Sequence, residues 1–141
     1  MIEVPSIALI ADIAAREVDF ASIGTNDLCQ YLCAADRMNS LAEPYYQSYH
    51  PAMFRLIKEA VSSFNAAGKP ISVCGEMAAD KKAAIVLTGL GLRKLSMGAA
   101  SAAAVKCALA SVTVKECEEL AARVLDCATA GEVEKILSDI A

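Results

Sequence analysis

Short apolar runs bounded by proline and glycine alternate along this chain with longer stretches whose apolar residues recur every three or four positions. Met1-Ile2-Glu3-Val4 predicts a strand that stops at Pro5, which cannot continue a ladder. Ser6 then caps a helix to about Glu17, with Ile7, Ile10, Ala11 and Ala14 along one face. Asp19 to Gly24 predicts a second strand. Thr25-Asn26-Asp27 supply N-cap chemistry for the next helix, which carries Leu28, Tyr31, Leu32 and Ala35. Met38 to Tyr49 reads as a polar loop holding Tyr45, Tyr46 and Tyr49. His50-Pro51 opens a helix to about Ala67, ended by Gly68 and Pro70. Ile71 to Cys74 predicts the third strand, and Lys81 to Thr88 a helix closed by Gly89 and Gly91. Lys94 to Met97 predicts a fourth strand, followed by helices near 101–110, 113–128 and 131–140.

Strands and helices in strict alternation are the pattern of parallel βαβ units, so the chain is expected to be α/β. Parallel strands are covered on both faces, which agrees with their apolar content. The pattern leaves open a doubly wound sheet or part of a (β/α)8 barrel. A complete barrel needs about 250 residues, so four units in 141 residues would make half of one.

Composition narrows the class without naming a function. The 141 residues predict a single domain, with 56% hydrophobic side chains and 28 alanines to build its core. The net charge of −4 has no long run of one sign, which argues against nucleic acid as a partner. No apolar run reaches the roughly 18 residues of a membrane span, and no basic-then-apolar leader opens the chain. Six cysteines suggest a disulfide set until their placement is considered. Cys29, Cys33, Cys107, Cys117 and Cys127 fall in helix-like stretches, and no CxxC pair occurs, so buried free thiols in a reducing cytoplasm are expected.

In parallel α/β folds ligands gather at the carboxyl ends of the strands. Here those ends carry Glu3, then Thr25-Asn26-Asp27 after Gly24, then Cys74-Gly75-Glu76, then Ser96-Met97-Gly98. Glu3 and Asp27 could together hold Mg2+, which commonly takes one or two carboxylates and leaves its other positions to water and phosphate oxygens. Taken singly, each residue has a plainer role: Glu3 and Arg37 as solvated charges, Asp27 and Glu76 at helix starts, Cys74 as a small buried hydrophobe. His50, the only histidine, supports a helix start, so a Ser-His-Asp or Cys-His site has little support.

Together the stretches MIEVP, SIGTNDLCQYLCAADR, HPAMFRLI, VCGEMAAD and GLRKLSM resemble the phosphoenolpyruvate-binding domain of the phosphoenolpyruvate-protein phosphotransferase family, Enzyme I of the bacterial sugar phosphotransferase system. The resemblance runs from Met1 to about Lys106. It implies the second half, about four βα units, of a (β/α)8 TIM barrel, with the first half-barrel and the phosphohistidine domain lying outside these residues. It implies Glu3 and Asp27 as Mg2+ ligands, Asn26 as a phosphate contact, and Arg37 as the guanidinium on the transferring phosphoryl group. Cys74 corresponds to the acid/base that exchanges a proton with the enolate carbon of pyruvate. The implied reaction moves phosphoryl from phosphoenolpyruvate to an enzyme histidine and then to a histidine-containing phosphocarrier protein. The implied enzyme is a cytoplasmic homodimer with no membrane or nucleic-acid contact.

The family usually has Thr where Cys29 stands, and a more polar loop where Gly98-Ala99-Ala100-Ser101 follow the last strand. The chain reads as a fragment that is inactive alone. Two alternatives are a piece of a pyruvate phosphate dikinase or phosphoenolpyruvate synthase, which share the barrel, and a non-catalytic dimerisation module.

Overall fold

The computed structural model describes residues 1–140. Three parallel strands form the sheet: β1 (Ala21–Gly24), β2 (Ile71–Cys74) and β3 (Leu95–Ser96), adjacent in chain order. Ser22 pairs with Ser72, Ile23 with Val73, Gly24 with Cys74, and Cys74 in turn with Ser96. The strand expected over Met1 to Val4 contracts to a single parallel bridge, Ile2 to Ile23. Its backbone closes it on both sides, Ile2 N–H donating to the Ser22 carbonyl at 2.8 Å and Gly24 N–H to the Ile2 carbonyl at 2.9 Å. Pro5 explains the brevity, because it opens α1 (Pro5–Leu9) at a position where no amide is needed.

The order Ile2, β1, β2, β3 contains no reversal. A doubly wound sheet reverses its strand order at a switch point, and none occurs among the described residues.

Nine helices are described. The first expected helix is two, α1 and α2 (Ala11–Glu17), separated at Ile10, where φ −111° and ψ 29° leave the helical region. Ser6 is not the cap: Val4 holds that position and no side chain caps it. α3 (Thr25–Leu32) includes the three residues expected to cap it: Gly24 holds the cap position and no side chain caps the helix. A short 3₁₀ turn (Glu43–Tyr45) lies inside the polar loop. α4 (Pro51–Ala66) starts as expected, the His50 Nδ1 accepting from the Ala52 amide at 3.2 Å. α5 (Glu76–Ala79) was not expected, being four residues long. α6 (Lys81–Gly89) is capped by Asp80, whose carboxylate accepts two amides at 2.8 Å. α7 (Ala99–Ala110), α8 (Val114–Asp126) and α9 (Ala130–Ser138) complete the chain, α8 opening on a Thr113–Glu116 capping box.

The core lies between one face of the sheet and α4, α6 and α8. Ile23, Val73, Met53, Phe54, Ile57, Phe64, Leu87 and Val124 are buried there. The Ile2 side chain joins this face. Alternate residues therefore point the other way: Glu3, Ser22, Ser72 and Cys74 are half-buried and Ser96 is exposed.

Candidate functional site

The polar face ends in a row of residues at the carboxyl edge. Gly24 pairs with Cys74 and Cys74 with Ser96, and the Glu3 side chain lies over Gly24. A Cβ at residue 24 would sit 2.7 Å from Glu3 Cγ and 2.8 Å from Glu3 Oε1. Glycine at this position is what lets the carboxylate cross the end of β1.

Cys74 is held by its neighbours on that face. The Ser22 hydroxyl donates to Cys74 Sγ at 3.7 Å, and the thiol donates to the Ile23 carbonyl at 3.5 Å. Thr25, the one buried polar side chain among the described residues, donates to the Cys74 carbonyl at 2.9 Å. Its hydroxyl thus ties the start of α3 to the end of β2 instead of capping its own helix.

Gly75 turns the chain sharply, with φ +103° and ψ −174°, a region open essentially to glycine alone. A Cβ here would also collide with the Thr25 hydroxyl and the Asn26 side chain. The turn lets the Glu76 amide donate to Asn26 Oδ1 at 2.9 Å. The other hydrogen-bonding group of the Asn26 side chain is its NH2, a donor. On its backbone side, Asn26 accepts from the Tyr46 hydroxyl at 3.1 Å.

Asp27 and Arg37 meet at 3.5 Å, both about two-fifths exposed. Asp27 sits in the first turn of α3, where the helix dipole favours a negative charge. Arg37 stands on the loop after α3, which is folded by Asx turns at Asp36 and Asn39. Arg37, Tyr46 and Glu76 wall an open cavity of about 560 Å³. The structure thus brings Asn26, Asp27 and Arg37 to one rim and places Glu3 and Cys74 on the adjoining sheet face.

Tyr46 is the residue that reading the sequence missed. Burial pushes its hydroxyl up to about 12, with Cys29 and Glu76 adding to the effect. Its only signal was membership of a tyrosine-rich loop.

The other cysteines divide differently from expectation. Burial raises the Cys29 thiol to about 12, with Cys33 adding to it, and also raises Cys117 and Cys127. Cys107, however, is exposed and Cys33 half-buried, because α7 buries only Val105 and α3 ends at Leu32. All six thiols are free.

No group of three or more His, Cys, Asp or Glu side chains suited to a metal ion occurs among the described residues. No described helix is long and apolar enough to cross a membrane.

Residues 1–114 match the family described as PEP-utilising enzyme, PEP-binding domain. The chain is 46% identical over 139 residues to the phosphoenolpyruvate-protein phosphotransferase of Staphylococcus carnosus, covering 99% of this chain and 24% of that protein. It is 44% identical to the protein of the same name in Staphylococcus aureus, again over 139 residues. The Lactococcus lactis protein of that name is 44% identical over 140 residues, at 99% of this chain and 24% of its own length. The chain spans about a quarter of the length of the curated relatives it matches.

Proposed function

Because this chain belongs to the phosphoenolpyruvate-binding domain family of phosphoenolpyruvate-utilising enzymes, we propose that it supplies the second half of a (β/α)8 barrel. In this reading it carries the metal-binding and proton-transfer groups of a phosphoenolpyruvate-protein phosphotransferase. The unreversed strand order and the polar second face of the sheet support a barrel interior over an open sheet. The whole enzyme takes phosphoryl from phosphoenolpyruvate onto its own histidine and passes it to a histidine-containing phosphocarrier protein in the cytoplasm. The names of the relatives, all phosphoenolpyruvate-protein phosphotransferases, favour this over a dikinase or synthase. Leu9, Ile13 and Phe20 are exposed at 70%, 52% and 71%, which supports further protein surface around the chain, the remaining barrel and a second subunit of a homodimer.

The observation that carries the reading is the join between the two strand ends. Asn26 links the Asp27 turn to the Cys74–Glu76 turn through one amide. The donor set fits Mg2+: two carboxylates, Glu3 and Asp27, with Gly24 leaving room for the first. Bound there, the ion supplies positive charge that disperses charge on the phosphoryl oxygens. Arg37 presents a planar guanidinium to the same oxygens, and the Asn26 NH2 adds a neutral donor. Cys74 delivers its proton to the C3 carbon of the enolate left when phosphoryl departs, giving pyruvate. Ser22 fixes the sulfur for that transfer.

The test places Cys74→Ala in a complete phosphotransferase carrying this segment and follows deuterium incorporation at pyruvate C3 alongside the phosphoryl half-reaction. Protonation is expected to fall about 10²–10⁴-fold while substrate binding persists. Pyruvate formed at the parental rate with unchanged stereochemistry would assign the acid elsewhere. The 141-residue chain alone is expected to transfer no phosphoryl and to bind phosphoenolpyruvate weakly at most.

A further inference from the structure

Cys29 and Cys33 lie one turn apart on the same side of α3, with their sulfurs 3.9 Å apart. The Cys33 amide donates to the Cys29 carbonyl at 2.9 Å, so this last turn is intact. Immediately beyond it Ala34 takes φ +50°, and the Ala35 amide closes back on the Gln30 carbonyl at 3.0 Å, a Schellman ending on a non-glycine residue. Cys29 is fully buried. Cys33 is half-buried and opens, with Leu32, Tyr45, Gln47, His50 and Ala52, onto a cavity of about 250 Å³.

The spacing does not suit a disulfide. Side chains one helical turn apart hold their Cβ atoms about 5–6 Å apart, whereas a disulfide wants about 3.5–4.5 Å. Closing one would break the last turn of α3. A single atom bonded to both sulfurs is a different matter. Two sulfurs on one pyramidal trivalent centre, at about 2.3 Å each and with an angle of about 100°, stand roughly 3.5 Å apart, a shift of only about 0.4 Å from the separation already present. The bridging atom must accept two protein sulfurs and no more, because among the described residues no metal-holding group of three forms.

We propose that Cys29 and Cys33 form a dithiol site for monosubstituted trivalent arsenicals, with the organic substituent seated in the cavity beside Leu32 and Tyr45. The chemistry balances without an oxidant. An arsonous acid, R–As(OH)2, loses two As–O bonds and gains two As–S bonds. Each thiol proton leaves with a hydroxide as water, and arsenic stays trivalent. Cys33 reacts first from the cavity. Cys29 follows from within the helix, so the second bond is intramolecular and strengthens binding by roughly 10²–10⁴ over a single thiol. The site sits on the helix whose first turn carries Asn26 and Asp27, yet it stands whether or not those residues serve phosphoenolpyruvate.

Phenylarsonous acid is the probe, added stoichiometrically to the intact chain in excess glutathione so that single-thiol adducts exchange away. One phenylarsenic per chain is expected by intact mass, with Cys29 and Cys33 both protected from alkylation on unfolding until 2,3-dimercaptopropanol is added. Cys33→Ala, at a half-buried position, should weaken retention about 10²–10⁴-fold, and Cys107→Ala should leave it unchanged. Protection of one thiol only, equal retention by Cys33→Ala, or no adduct at all would overturn the proposal.

Discussion

The two faces of one short sheet differ as sharply as any two regions of this molecule. On one face Ile2, Ile23 and Val73 are sealed against helices, all at 3% exposure or less. On the other, in the alternating positions of the same strands, stand Glu3, Ser22, Ser72 and Cys74, all partly open, the last three joined by hydrogen bonds to side chains and backbone. Because successive side chains point oppositely, four residues of strand suffice for both tasks. The apolar face holds the fold and the polar face carries the residues proposed for chemistry, so changes on the two should part stability from activity.

The widest separation is expected between Ile23→Ala and Ser22→Ala, neighbours on β1. Ile23→Ala empties a sealed site and should cost about 2–5 kcal/mol. Ser22→Ala removes one hydroxyl bond to Cys74 and should cost at most about 1.5 kcal/mol. Urea denaturation of the chain measures both, and equal losses would erase the distinction between the faces.

Next in size is the glycine turn where the polar face meets the rim. Gly75→Ala forces a side chain into a strained conformation and against Thr25 and Asn26, for about 1–3 kcal/mol or more. Gly68→Ala is the control: φ is +65° but nothing lies within 4 Å, so only the left-handed cost of about 1–2 kcal/mol applies. Amide exchange at Glu76 should quicken in the first variant and not in the second.

Much of this division was legible in the sequence. The three paired strands fall inside the spans that apolar runs bounded by glycine and proline marked out. Five residues singled out for chemistry, Glu3, Asn26, Asp27, Arg37 and Cys74, reach one end of the sheet because strand ends collect there in any parallel fold. What failed was local. Pro5 and the Ile10 break shortened the first strand and split its helix, and the periodic apolar pattern runs through Ile10 without a proline or glycine to mark the break. Thr25 looked like a cap, yet its hydroxyl serves a carbonyl 49 positions away, a partner that spacing does not reveal. Tyr46 was hidden for the same reason, 20 positions from the carbonyl it holds.

Alkali offers a smaller, graded comparison. Buried Cys117 and Cys127 on the helical side are raised from 9.0, while Tyr46 at the rim is raised from 10.0 to about 12 by burial, Cys29 and Glu76 against the opposing Arg37. A raised folded-state value means that the unfolded chain releases its proton first. Stability is therefore whole below about pH 9 and declines above it, each such group contributing within its own window. Tyr46→Phe should flatten the decline between pH 10 and 12. A slope unchanged by the substitution would remove Tyr46 from the account.

The smallest effect on stability is expected where the functional effect is largest. Asp27 and Arg37 are paired at 3.5 Å with 39% and 38% of their side chains exposed, and exposed pairs contribute about 0–1 kcal/mol. Asp27→Asn should therefore leave the urea midpoint almost unmoved. It keeps the shape of the side chain and removes the charge that a divalent cation requires. If Glu3 and Asp27 share the ion, a single remaining carboxylate should hold it poorly, so Mn2+ measured by electron paramagnetic resonance should bind at least about tenfold more weakly. Arg37→Gln sharpens the test by moving the other way. Because the guanidinium would compete with the proposed cation for one carboxylate, its removal should raise Mn2+ affinity. Asp27→Asn with full Mn2+ affinity would show that the carboxylate serves only Arg37 and the helix start, and would overturn the metal assignment.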